Sequence, residues 1–125
     1  MTVHPTPSEL AILNALWDRG PGTVQEVIEA LPSRDVGYTT VLKTLQIMEG
    51  KGLVTRDATR RPHVWSAAVA QEQTQSSLVS RLVDRAFQGS TASLVLRALG
   101  EKRATREELA EIRSLLDKLA DDEEA

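Results

Sequence analysis

The chain has 125 residues, of which 41% are hydrophobic and 26% are charged, which is the size of one globular domain or of one small domain with an oligomerisation extension. Cysteine is absent, and this excludes disulfide bonds, thiol chemistry and Cys-ligated zinc. The net charge of −3 gives no sign of nucleic-acid binding, but residues 36–67 carry five basic side chains against two acidic ones, either a patch that suits phosphate or a chance fluctuation of surface charge.

No stretch of apolar residues approaches the roughly 18 that a membrane-spanning helix requires. Residues 1–9 also lack the basic and apolar segments of a secretory signal. We therefore expect a cytoplasmic protein with no membrane insertion.

Two amphipathic helices are predicted at the N-terminal end. The first begins at a capping box formed by Thr6 and Glu9, has a proline at its first position, and ends at Gly20. The second begins at a capping box formed by Thr23 and Glu26 and ends before the next proline. Their apolar residues are Leu10, Leu13, Leu16, Trp17, Val24, Val27, Ile28 and Leu31.

A third helix is predicted to begin at Gly37 or Tyr38 and to end at Gly52, a residue type that favours the left-handed cap of a helix. Its buried face is predicted to hold Val41, Leu42, Leu45 and Met48. Its opposite face holds Thr39, Thr40, Lys43, Thr44 and Ile47.

Two short runs rich in β-branched and aromatic residues follow, at 53–57 and 63–67, and they predict a β-hairpin. Arg60 and Arg61 lie at its tip. Three helices followed by a two-stranded hairpin are the winged form of the helix-turn-helix. The basic tip is either a wing that contacts the DNA backbone or minor groove, or a solvated turn.

The remaining residues are predicted to be helical. One helix runs from about Ala70 to Gln88, a short one ends at Gly100, and the last begins at a capping box formed by Thr105 and Glu108 and repeats apolar residues at heptad spacing. These helices are too apolar to remain monomeric unless they fold back on the first domain. The residues predicted to form a dimer interface are Leu78, Leu82, Phe87, Leu94, Leu109, Ile112, Leu116 and Leu119.

The predicted fold class is mainly α with a small β-hairpin. A winged helix-turn-helix DNA-binding domain is predicted over residues 1–68, and a helical dimerisation domain with an acidic C-terminal tail over residues 69–125. Nothing in the sequence supports catalysis, because it has no Gly-rich phosphate loop, no Cys nucleophile and no credible Ser/His/Asp arrangement. His4 and His63 are the only histidines, and neither has a second spaced His or a carboxylate cluster nearby, so no metal site is expected. No cofactor is predicted.

The third helix has the two faces that a helix in the DNA major groove needs, one packed on its own domain and one offered to bases and phosphates. Thr39, Thr40 and Thr44 have hydroxyl groups for base or phosphate contacts and methyl groups that suit a thymine methyl. Lys43 can reach a guanine or a phosphate, and Tyr38 lies at the helix entrance as a packing or phosphate residue. The alternative is a polar face that meets only solvent, and the basic hairpin that follows favours DNA.

Segments from Thr6 to about Leu119 match a known pattern. They are Glu9, Ala15-Leu16-Trp17, Gly20, Thr23 to Val27, Tyr38 to Val41, Thr44-Leu45, Lys51 to Val54, Gly89-Ser90, Ser93 to Leu96, and Glu107 to Leu109 with Leu115-Leu116. Each segment is weak alone, but their order and spacing are specific. Together they resemble the BlaI/MecI (penicillinase repressor) family of winged-helix transcriptional repressors.

The resemblance implies a homodimer whose winged helices bind two half-sites of a palindromic operator in double-stranded DNA and whose C-terminal helices form the dimer interface. It implies control of genes for β-lactam resistance or related stress responses. In many members a membrane sensor peptidase triggers cleavage of the repressor in its C-terminal region. Carried over by position, the DNA contacts are Thr39, Thr40, Lys43 and Thr44 on the recognition helix and Arg60 and Arg61 on the wing.

The chain departs from the family pattern at two places. Ile47-Met48 stands where the family often has a basic residue followed by Leu, so a DNA contact is lost, or Ile47 reaches a thymine methyl, or Ile47 packs on the wing. The bond cut in the family is Asn-Phe after Ser-Leu-Val-Leu, and Arg97-Ala98 occupies that cleavage position in this chain. A copper-sensing branch uses C-terminal cysteines, and the lack of cysteine excludes that mode.

The alternative function is a winged-helix protein-interaction adaptor that uses the same face to bind a partner. It predicts no salt-dependent DNA binding and an exposed apolar surface around Ile47. A gel-shift experiment distinguishes the two hypotheses.

Overall fold

The computed structural model describes residues 4–33, 35–101 and 103–124, which form helices and one antiparallel hairpin. The elements are α1 (Pro7–Arg19), α2 (Val24–Ala30), α3 (Tyr38–Lys51), β1 (Val54–Asp57), β2 (Val64–Ala67), α4 (Gln71–Ala86), α5 (Thr91–Gly100) and α6 (Arg106–Glu124). The mainly α fold class with a small hairpin, and the winged helix-turn-helix order, are confirmed.

Capping boxes begin the first two helices, as the sequence predicts. The backbone N–H of Thr6 donates to Glu9 Oε1 at 2.9 Å, and the N–H of Glu9 donates to Thr6 Oγ1 at 3.2 Å. Thr23 and Glu26 repeat the arrangement at 2.9 and 3.2 Å. Each pair satisfies two N–H groups that would otherwise lack a partner, and it thereby defines where the helix starts.

The predicted ends of α3 are also confirmed. Gly37 occupies the N-cap position, and because glycine has no side chain it gives the first turn of α3 no capping hydrogen bond. Gly52 ends the helix with a φ of 80°, and its N–H donates to the carbonyls of Met48 and Glu49. Glycine adopts this left-handed conformation at little cost, which explains why the helix stops there.

One apolar core joins α1, α2, α3 and the hairpin. Leu13, Val27, Leu45 and Met48 are completely buried, and Trp65 adds the largest buried side chain. Close-packed side chains of this kind resist movement, so the core holds α3 by one face. The other members of the core are Ile12, Ala15, Leu16, Val24, Leu31, Val41, Leu53 and Val54.

The hairpin is attached to the turn between α1 and α2. β1 and β2 pair with Val54 opposite Ala67 at the base. The N–H of Gly22 donates to the Trp65 carbonyl at 3.0 Å, and the N–H of Trp65 donates back to the Gly22 carbonyl at 2.8 Å. This bridge extends the two-stranded sheet and holds β2 against the turn between α1 and α2.

The described chain divides into two compact units, Met1–Val79 and Ser80–Ala125, and the division falls within α4. The assignment of DNA binding to residues 1–68 and dimerisation to residues 69–125 stays a prediction. α4 is slightly shorter than predicted, since the positive φ of Gln88 and Gly89 turns the chain before α5.

The later helices begin at side-chain caps. Ser90 Oγ accepts the N–H of Ser93 at 3.1 Å at the start of α5. The capping box predicted before α6 is present: the N–H of Thr105 donates to Glu108 Oε1 at 2.9 Å, and the N–H of Glu108 donates to Thr105 Oγ1 at 3.1 Å. Local interactions therefore define these helices, while most of their apolar residues are half-buried or exposed.

Candidate nucleic-acid interface

α3 presents a polar face to solvent because its apolar face is fixed in the core. Val41, Leu45 and Met48 are at most 1% exposed. The predicted buried face is thus confirmed, except that Leu42 is only half-buried. On the opposite side, Thr40, Lys43, Thr44 and Ile47 follow the three- and four-residue spacing of one helix face, and we call these four residues the α3 stripe.

The α3 stripe is accessible along its length. Thr40, Lys43 and Ile47 are exposed and Thr44 is half-buried, while Thr39 lies beside them and is also exposed. Ile47 keeps 49% of its surface exposed, so the wing does not cover it. The structure therefore brings the predicted α3 residues onto one open surface, and their contact with DNA stays a prediction.

Thr44 and Thr40 are joined within the helix. Thr44 Oγ1 donates to the Thr40 carbonyl oxygen at 2.9 Å. Hydroxyl side chains in helices commonly bond in this way to the carbonyl one turn earlier. The hydroxyl proton of Thr44 is consequently directed along the helix rather than toward solvent.

An ion pair ties the C-terminal end of α3 to the first turn of α1. Lys51 Nζ lies 2.9 Å from Glu9 Oε2 and 3.0 Å from Glu9 Oε1. The Glu9 carboxylate is 4% exposed. Burial opposes its ionisation, but the hydrogen bond from the Thr6 N–H and the ammonium group of Lys51 outweigh burial and lower the pKa of Glu9. Lys51 therefore helps to fix the orientation of α3 relative to α1.

The wing turn is stabilised by its own polar groups. The N–H of Thr59 donates to Asp57 Oδ1 at 3.0 Å, and the Thr59 hydroxyl donates to the same oxygen. The hydrogen bond from the Thr59 hydroxyl, and to a smaller extent that from its N–H, lowers the pKa of Asp57. The turn is thus held in one conformation although its residues are exposed.

The two wing arginines differ in their surroundings. Arg61 Nη1 donates to the Ala58 carbonyl at 2.8 Å and lies 2.7 Å from His63 Nε2, which accepts because a guanidinium can only donate. Arg60 is exposed, and its side chain makes no hydrogen bond or ion pair within the described part of the chain. Arg61 therefore braces the turn, while Arg60 is available to a ligand.

Arg56 connects the wing to the end of α3. Its Nε lies 3.5 Å from Glu49 Oε2, and its guanidinium carbon lies 5.8 Å from the centre of the Trp65 ring. A guanidinium above an aromatic face is attracted by the ring, so Arg56 is held against the hairpin.

A cleft of about 360 Å³ opens between α2, α3 and the hairpin. Its lining is mostly apolar but includes the side chains of Arg56 and Arg61, so a chain of phosphates passing from α3 to the wing would meet positive charge there. Its lining residues are Thr23, Val24, Gln25, Tyr38, Leu42, Gln46, Arg56, Arg61, Pro62, His63 and Trp65.

The candidate dimer residues lie on α4, α5 and α6, except Phe87, which directly follows α4. Leu82, Leu109, Leu116 and Leu119 are between 45% and 56% exposed. Leu78, Phe87, Leu94 and Ile112 are half-buried. At the candidate cleavage position on α5, Arg97 and Ala98 are both exposed. No helix in the described residues combines the length and apolarity needed to cross a bilayer.

Sequence reasoning missed the Glu9–Lys51 pair, the Gly22–Trp65 bridge and the role of Arg56. Glu9 was recognised only as a capping residue, and nothing local indicates that its second carboxylate oxygen faces a lysine 42 residues away. The bridge at Gly22 had one local signal, since glycine often stands where another backbone approaches closely.

Residues 5–118 match the family model described as penicillinase repressor. The transcriptional regulator BlaI of Mycobacterium tuberculosis (strain H37Rv) is 32% identical over 112 residues, which cover 83% of this chain and 81% of that protein. The protein of the same name from strain CDC 1551 matches equally well. The description of the family and the names of both relatives are those of transcriptional regulators.

Solved structures with a similar arrangement include a MarR family protein from Bacillus stearothermophilus, with a TM-score of 0.48 and 20% identity over 96% of this chain and 76% of that one. The transcriptional regulator Tm0710 from Thermotoga maritima gives 0.47 and 18% over 95% and 76%. Family membership rests on the family model and on the sequence relatives. This chain belongs to the penicillinase repressor family, and it is a DNA-binding, winged-helix transcriptional repressor.

Proposed function

We propose that the chain acts as a homodimer that binds a palindromic operator, with α3 in the major groove and the hairpin tip on the adjacent backbone or minor groove. The observation that carries this proposal is the α3 stripe, an open polar surface on a helix whose other face is fixed in the core. A rigid support of this kind lets side chains meet bases in a defined register.

The proposed contacts have separate tasks. Thr39, Thr40 and Tyr38 lie at the N-terminal end of α3, where unpaired backbone N–H groups and the helix dipole favour a phosphate. Lys43 and Arg60 provide charge for the phosphate backbone or for a guanine edge. Tyr38 is 51% exposed and lines the cleft, which suits a phosphate contact at the helix entrance.

The exposed apolar residues of α4 and α6 support the proposed dimer. Leucines at heptad spacing on α6 stay about half exposed in a single chain, and exposed apolar rows of this kind are typical of surfaces covered by a partner. A second copy with the same row makes a two-fold interface, and a two-fold dimer matches a palindrome. Two half-sites about 34–36 Å apart, or a multiple of this, are then held together. The bound dimer blocks polymerase.

Release is proposed to involve cleavage in α5 at Arg97-Ala98 after a signal from a membrane sensor peptidase. Both residues are exposed, which suits access by a protease once the helix unwinds. The controlled genes are proposed to serve β-lactam resistance or related stress responses. Co-expression with candidate peptidases, followed by mass spectrometry of the fragments, tests the cleavage position. Fragments whose ends lie outside α5 contradict it.

The operator is best obtained by selection from a random pool of double-stranded DNA with the full-length protein, followed by anisotropy titrations at several salt concentrations. We expect enrichment of a palindrome, and we expect Lys43→Ala to weaken binding and to reduce the salt slope by about one unit. Asn14→Ala, which changes an exposed neutral side chain of α1 that does not line the cleft, is the control for charge. An adaptor predicts no enrichment and no salt-dependent binding, and this outcome contradicts the proposal.

A further inference from the structure

We propose that Ile47 and the methyl group of Thr44 contact thymine methyl groups in the major groove and thereby set the base preference of the C-terminal part of α3. This inference rests on the proposed function, since it assumes that the α3 stripe faces DNA. It assigns a specificity role to two residues whose chemistry differs from that of the charged contacts.

The position of Ile47 is the first argument. Its neighbours Leu45 and Met48 are completely buried, whereas Ile47 is 49% exposed and continues the line of Lys43 and Thr44. A large β-branched side chain at this half-exposed place gains less from the core than its buried neighbours do. Its methyl groups are therefore available to whatever occupies the groove.

The hydrogen bond of Thr44 is the second argument. Because its hydroxyl donates to the Thr40 carbonyl at 2.9 Å, Thr44 offers no free hydroxyl proton to a base or phosphate. The groups it can present are its methyl and the lone pairs of its oxygen. Ile47 has no polar atom at all, so together these residues form a small aliphatic patch at the end of the stripe.

The chemistry of the groove supplies the third argument. Among the base-edge groups of the major groove, the thymine C5 methyl is the one that an aliphatic side chain matches, because the others are hydrogen-bond donors or acceptors. Thr40 and Ile47 are seven residues apart, or about 10 Å along the helix axis, which corresponds to about three base-pair steps. The aliphatic patch therefore lies beyond the bases that meet the polar start of α3.

The experiment replaces thymine by deoxyuridine, which removes only the methyl group and keeps base pairing. The operator is the one selected from the random pool, and each thymine is replaced singly in both half-sites. We expect one or two positions at which wild-type affinity falls about fourfold per half-site, the factor for burial of one methyl-sized group. Ile47→Ala is expected to weaken binding to the thymine operator by a similar factor and to be insensitive to deoxyuridine at one of these positions.

Thr44 provides a matched pair of variants. Thr44→Val keeps the methyl group and loses the hydroxyl, so it is expected to remain sensitive to deoxyuridine. Thr44→Ser keeps the hydroxyl and loses the methyl, so it is expected to lose that sensitivity at its own position. Deoxyuridine at thymines outside the footprint controls for general effects on the duplex.

A merely structural role for Ile47 would lower affinity for every DNA sequence. The proposal instead expects Ile47→Ala to keep the wild-type melting temperature, the wild-type affinity for non-specific DNA and the wild-type salt slope. Sequence-specific binding without any sensitivity to deoxyuridine, or equal sensitivity in the wild type and Ile47→Ala, overturns the inference and leaves the repressor proposal intact. Failure to select any DNA sequence overturns both.

Discussion

The two compact units of the chain differ in how completely they bury their apolar residues. In the first, Leu13, Leu45 and Trp65 are at most 1% exposed. In the second, Leu96 and Leu116 are 71% and 56% exposed. Full burial of a leucine side chain contributes about 1.5–3 kcal/mol, so the second unit leaves much of its hydrophobic stabilisation unused in a single chain. The first unit therefore closes its own core, while the second leaves apolar side chains exposed that are available to a partner.

The largest expected effect is loss of the dimer in Leu116→Asp. A buried carboxylate at this position opposes association, and loss of coupling between half-sites is expected to weaken operator binding about 10²- to 10⁴-fold. Ser114→Asp adds the same charge at an exposed position on the opposite side of α6 and serves as control. Sedimentation velocity and anisotropy measure the two effects. A Leu116→Asp protein that remains dimeric would show that the comparison between the units is wrong.

Leu45→Ala tests the other half of the comparison. Because Leu45 is completely buried in the first unit, its truncation is expected to lower the free energy of unfolding by about 2–5 kcal/mol. Gln46→Ala, at the adjacent exposed position, is expected to change it by less than about 0.5 kcal/mol. Urea unfolding followed by tryptophan fluorescence reports on this unit, since Trp17 and Trp65 both lie in it. A change below 1 kcal/mol for Leu45→Ala contradicts a self-contained core.

Lys51→Met tests how much the Glu9–Lys51 pair between α1 and α3 stabilises the first unit. The variant leaves the Glu9 carboxylate buried without its partner, at a cost of about 1–3 kcal/mol at pH 7, toward the lower end because the Lys51 side chain is 34% exposed. The pKa of Glu9 is lowered from 4.5, so the pairing stabilises the fold above about pH 4.5 and this contribution is lost as pH falls through the folded-state pKa.

Unfolding measured from pH 7 to pH 3 should therefore show the difference between wild type and Lys51→Met shrinking below about pH 4.5. Lys118→Met, at an exposed position of α6, should follow the wild type throughout. A Lys51→Met penalty that stays constant with pH would mean that its origin is packing rather than charge.

The smallest expected effects are those at the wing. Arg60→Ala is expected to reduce the salt slope of operator binding by about one unit while the dimer stays intact. Arg61→Ala is expected to change the slope less, because the guanidinium of Arg61 is already bonded to Ala58 and placed against His63. Anisotropy titrations at several salt concentrations distinguish the two variants. Equal slope changes would mean that both arginines meet phosphate.

The contrast between the wing arginines also shows where prediction from sequence ends. Arg60 and Arg61 are adjacent and chemically identical, so the sequence treats them alike. Only the path of the turn decides that Arg61 reaches the Ala58 carbonyl. Lys51 is a similar case: the sequence places it among the basic residues of 36–67, whereas in the fold it neutralises the buried carboxylate of Glu9.

The sequence by itself determined the helix starts at Thr6, Thr23 and Thr105, the end of α3 at Gly52, and the apolar face that fixes α3. These features depend on interactions between residues no more than about four positions apart, and such interactions can be read from spacing alone. The family resemblance rested on the same local segments.

The tertiary structure alone decided which distant residues meet. Lys51 pairs with Glu9 across 42 positions, and Trp17 Nε1 donates to the Val69 carbonyl at 3.1 Å across 52 positions. Such contacts depend on how the whole core packs rather than on any local pattern. The first ties α3 to α1, and the second ties α1 to the chain that follows β2. The open position of Ile47 was decided in the same way, because it depends on where the wing lies.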